Sequence, residues 1–75
     1  MKTDLLELEI DQEATVVQLK GGVTLQNKLN SLGIREGKKV KKLGKNFFRG
    51  PITVEVGQTR VAVGHSMAKK IIVEI

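Results

Sequence analysis

The chain contains no cysteine, tryptophan or tyrosine, and only one histidine, one proline and two phenylalanines in 75 residues. Without cysteine there is neither a disulfide framework nor a thiolate zinc site, and such a chain fits a reducing compartment. Two phenylalanines leave little surface on which bases could stack. A lone histidine, with no cysteine or tyrosine beside it, leaves few groups for acid–base or nucleophilic work, so no enzymatic activity is expected. The apolar runs are no longer than three residues, as at Val61–Val63, whereas a bilayer-spanning helix needs roughly 18. The opening Met1-Lys2-Thr3-Asp4 leads into acidic residues, unlike the basic start and apolar stretch of a signal peptide. These absences describe a soluble, cytoplasmic protein with a single domain over residues 1–75, because so short a chain cannot build a second core.

What the chain does have is charge, unevenly placed. Residues 1–13 carry Lys2 against five acids, and the remainder carries twelve bases against three acids, so the overall +5 is the sum of −4 and +9. The densest stretch runs from Arg35 to Arg49, with seven bases against Glu36 alone. Such a stretch is either a solvated face or a steering patch for an acidic partner, and the acidic N-terminal segment could itself lie against it.

The hydropathy pattern changes period along the chain. Leu6, Leu8 and Ile10 alternate with Glu7 and Glu9 as in a short strand, while Asp4 followed by Glu7 suits a capped helical turn; in either case Leu5, Leu6 and Leu8 cover an end of the core. Ala14–Lys20 is a β-branched strand with Thr15, Val17 and Leu19 on one face and Val16 on the other. After Gly21-Gly22 the spacing of Leu25, Leu29 and Leu32 predicts a helix over residues 23–32, stopped by Gly33 in a left-handed cap. Arg35-Glu36-Gly37-Lys38 supplies a turn. Val40 and Leu43, three apart, cannot share a face of a regular strand, so a bulge is expected between them. Gly57-Gln58 predicts a two-residue type II′ hairpin pairing Val56 with Thr59, Val54 with Val61 and Ile52 with Val63, and setting Glu55 opposite Arg60. Gly50-Pro51 opens that hairpin. A single helical turn over residues 64–69 and a last strand carrying Ile71, Val73 and Ile75 complete the chain. Several short strands and one helix suggest a small closed β-barrel.

The string Leu29-Asn30-Ser31-Leu32-Gly33-Ile34-Arg35-Glu36-Gly37, then Gly50-Pro51-Ile52, then Val61-Ala62-Val63-Gly64, resembles the ferrous iron transport protein A (FeoA) family. The tail Met67-Ala68-Lys69-Lys70-Ile71-Ile72-Val73-Glu74 resembles that family's small-residue turn and closing strand. The resemblance implies a mainly β, SH3-like barrel with one short helix after the first core strand. It also implies a cytosolic accessory of ferrous iron transport whose partner is a membrane permease with a cytosolic G-protein domain (FeoB). The same domain occurs in metal-dependent repressors of the diphtheria-toxin-repressor type. Two alternatives stand beside the transporter accessory: a nucleic-acid-binding SH3-like barrel, and a stand-alone metal-sensing domain.

For a partner surface the sequence offers Lys28, Arg35, Lys38, Lys39, Lys41 and Lys42, with Phe48 as an apolar anchor. Most of the four lysines between 38 and 42 must face water, since several unpaired ammonium groups cannot be buried. No cofactor is evident. His65 is the candidate for a weak transition-metal (iron) contact, with too few companions to build a site alone. The chain is expected to be a monomer or a weak homo-oligomer.

Overall fold

A computed structural model describes residues 1–45 and 50–75, so Phe47, Phe48 and Arg49 lie outside the described residues. The chain opens with β1 (Lys2–Asp4) and a 3-10 turn over Leu5–Glu7. The turn forms because Asp4 caps it: the Glu7 amide donates to Asp4 Oδ1 at 3.1 Å. Of the two open readings of this segment the capped turn prevails. It buries Leu5 and Leu8 and half-buries Leu6, and it leaves Ile10 exposed.

β2 (Glu13–Leu19) buries Ala14, Val16 and Leu19. This corrects the expected grouping of Thr15, Val17 and Leu19. A register shift between Val16 and Gln18, where β2 pairs with the last strand, adds one residue and turns Leu19 back to the face of Val16. α1 (Val23–Ser31) follows Gly22 and carries Leu29 fully inside, with Leu25 and Leu32 half-buried. It ends as expected. Gly33 has φ +89°, its amide donates to Asn30 O at 3.0 Å, and the Ile34 amide donates to Leu29 O at 2.9 Å, the paired bonds of a Schellman cap. Ile34 and Leu29 are both completely buried beside it.

β3 (Lys39–Lys45) pairs with β2 and with β4 (Ile52–Val56), and the expected bulge falls between Lys42 and Gly44. β4 and β5 (Thr59–Val63) form the hairpin in the predicted register, Val56 with Thr59 through Ile52 with Val63. Gly57 alone in the turn has positive φ, +62°, as a type II′ turn requires. α2 (His65–Ala68) is a single helical turn, and β6 (Ile71–Glu74) buries Ile71 and Val73. Ile75, expected to share their face, lies past the end of the strand and is half exposed.

The six strands of the described residues form one antiparallel sheet in the order β1-β6-β2-β3-β4-β5. A flat sheet would be a layer about 10 Å thick, but the molecule measures 29 × 24 × 24 Å, so the sheet curls around its own core. Residues from β2 to β6 meet in a single apolar cluster. No ladder joins β1 to β5 among the described residues; instead α2 packs on the 3-10 turn, and Leu5 with Ala68 lies wholly buried there.

Candidate interaction surface

Period-two alternation along β3 divides its lysines. Val40 points inward and pairs with Val56, so Lys41 points outward and Lys42 points in again, opposite Val54. Lys42 is therefore not part of a solvent-facing patch: it is 3% exposed. Its ammonium donates to Leu6 O at 2.7 Å and to Leu8 O at 2.8 Å. The Asp11 amide donates to Lys42 O, and the Lys42 amide to Gln12 O. Side chain and backbone of one residue thus tie the whole N-terminal segment to β3. The charge is tolerated inside because backbone carbonyls meet it. Between the segment and β3 lies a groove of about 370 Å³, lined by Leu6, Glu7, Leu8, Glu9, Ile10 and Lys42.

The outward lysines are not equally free. In register, Glu13 stands opposite Lys41, Lys41 opposite Glu55, and Glu55 opposite Arg60. This row alternates in sign across β2, β3, β4 and β5 and sets Lys41 between two carboxylate-bearing residues. The acidic N-terminal segment does reach the basic strand, through Glu13. Lys39 faces Thr15 instead. Arg35, Lys38 and Lys39 are exposed along the turn into β3, where Gly37 at φ +90° lets the Lys38 amide donate to Arg35 O. Lys28 is exposed in the last turn of α1. Phe48 lies outside the described residues.

A second basic group was not legible in the sequence. The β2–β6 ladder sets Leu19 opposite Ile71, and the Lys20 amide donates to Lys70 O at 2.7 Å. That places exposed Lys20 beside exposed Lys69 and Lys70. Fifty residues of chain separate them, and only the strand pairing brings them together. Beyond β6, the amino group of Met1 forms an ion pair with Glu74. This hydrogen bond holds the Glu74 carboxyl below its ordinary 4.5, with Lys2 adding to the effect and partial desolvation opposing it.

His65 is half-buried at the start of α2. Among the described residues no three His, Cys, Asp or Glu side chains gather to hold a metal ion. No described helix is long and apolar enough to cross a membrane.

Known proteins share this arrangement. The sequence profile of the FeoA domain matches residues 3–75. An iron uptake regulatory protein (FeoA) known from a crystal structure is 31% identical, with a TM-score of 0.89 over 99% of this chain and 96% of that one. A FeoA-like protein from Clostridium acetobutylicum is 26% identical, with a TM-score of 0.86 over 99% of this chain and 86% of that one. A manganese-dependent transcriptional repressor shares the fold at 22% identity and a TM-score of 0.88, this chain spanning 41% of its length. Among curated proteins none matches the chain in sequence. A mainly β, SH3-like fold matched by the profile along nearly its whole length places this chain in the FeoA family, whose domain is associated with ferrous iron transport.

Proposed function

We propose that the protein is a small cytoplasmic, non-catalytic regulator of ferrous iron transport that binds the cytosolic part of a FeoB-type permease. The observation that carries this reading is the FeoA-domain match across residues 3–75. The physical mode that suits the surface is an electrostatically steered encounter with an acidic protein face. Arg35, Lys38 and Lys39 supply it, being exposed and outside the alternating charge row. Replacing all three by Glu should slow association with the isolated cytosolic domain by about tenfold or more at low salt. The fold should stay intact, because exposed charges contribute little to stability. Association rates unchanged in the triple variant would remove this turn from the contact.

The group formed by Lys20, Lys69 and Lys70 favours a second reading, nucleic-acid binding. Steeply salt-dependent binding of RNA or DNA by the wild type would promote it, since neutralised phosphates release counterions.

A further inference from the structure

The sheet leaves β5 as an open edge, and its geometry says what could pair there. In a two-residue hairpin the residues flanking the turn, Val56 and Thr59, exchange backbone hydrogen bonds with each other, and the pattern then alternates. Thr59, Val61 and Val63 therefore turn their N–H and C=O groups to β4, while Arg60 and Ala62 turn theirs to the open side. Among the described residues those four groups have no protein partner, and both residues are exposed. The edge is five residues long without proline or register shift, and Arg60 is its one charged side chain. β1, the opposite edge, has only three residues.

The charge row selects the occupant. Glu13, Lys41, Glu55 and Arg60 alternate in sign across four strands, and Arg60 ends the row at the open edge. A further strand completes the pattern only if it places a carboxylate opposite Arg60; a basic residue there would be repelled. We propose that β5 is a docking edge for an extended segment of a partner protein, which adds as a seventh strand with an acidic side chain facing Arg60. The inference rests on reading the chain as a protein-binding module. It differs from the turn at Arg35–Lys39 in naming a backbone-paired contact.

The test uses the full chain, isotope-labelled for amide NMR, and two blocked pentapeptide probes, Thr-Val-Glu-Val-Thr and its variant with a central Lys. The Glu peptide should shift the amides of β5 and slow hydrogen exchange at Arg60 and Ala62 severalfold, while the Lys peptide binds much more weakly. Ala62→Pro should abolish binding and leave the other amides in place. The proline removes an N–H that bonds nothing in the fold, at an edge position where proline is tolerated. Arg60→Glu should invert the preference between the peptides. No shift in β5, equal binding of both peptides, or Ala62→Pro binding like wild type would each overturn the proposal. Protection of Arg60 and Ala62 without peptide, lost on dilution, would overturn it in favour of a second copy at the edge. The permease domain separates the two readings. If it does not bind the free protein, although the Glu peptide does pair with β5, the transporter reading falls and the edge stands. If it binds the protein although the Glu peptide shifts no amide of β5, the reverse holds.

Discussion

Lys42 shows how a single side chain can change role once its strand is placed. In a stretch with seven bases it looks like one more surface cation, yet alternation from Val40 sends it inward to the carbonyls of Leu6 and Leu8. Methionine at this position keeps the apolar stem and removes the donors, leaving those acceptors without the ammonium. Lys42→Met is expected to lower the unfolding free energy by about 2–4 kcal/mol. Lys41→Met, on the outer face, should change it by less than about 1 kcal/mol. Urea denaturation followed by far-UV circular dichroism distinguishes the two. Equal effects would mean that the carbonyl contacts of Lys42 contribute nothing net. The inward direction was accessible from sequence, because the strand and its bulge were both predictable; what misled was reading the lysine run as a block of charge.

At the level of elements, the most legible pieces were those whose backbone geometry permits few residues. Gly57-Gln58 set the register of β4 and β5 because turn type and the alternating valines agree. Gly33 ended α1 because the Schellman cap needs a left-handed residue where the leucine stripe stops. A Cβ at Gly33 would meet only Val56 Cγ1, at an ordinary 3.6 Å, so the cost of a side chain there is conformational rather than steric. Gly33→Ala should therefore destabilise by about 1–2 kcal/mol. Gly44→Ala, with a backbone outside the left-handed region and open space around the added carbon, should cost clearly less. Melting temperatures of the two variants test this; an equal drop would place the importance of Gly33 elsewhere than in its φ. β2 was the element misread. Its bulge arises from pairing with β6, and no feature of the strand's own sequence announces it.

For the whole molecule the margin is small: a chain of this length has roughly 4–11 kcal/mol of stability. The N-terminal turn therefore cannot be an optional appendage. Leu5 is completely buried within the cluster to which the strands contribute, and Lys42 holds the same segment from below. Leu5→Ala is expected to cost about 3 kcal/mol and to leave a single cooperative transition at a much lower urea midpoint. With neither tryptophan nor tyrosine in the chain, circular dichroism and amide NMR are the suitable probes. Loss of the N-terminal resonances well before those of β4 and β5 would show that the segment unfolds as an independent unit.

Local chemistry in the sequence determined the helix, its glycine stop, the hairpin and its register, the bulge in β3 and the inventory of groups that argues against catalysis. Each depends on residues close together in the chain, so each can be read without the fold. Tertiary structure alone decided which of two forms the N-terminus takes and which face of β2 is buried. It also decided that Lys20 lies beside Lys70, and that Glu13, Lys41, Glu55 and Arg60 form one row ending at an open edge. Those outcomes depend on pairings between distant strands, and a side chain's surroundings there are set by the neighbouring strand rather than by its neighbours in sequence.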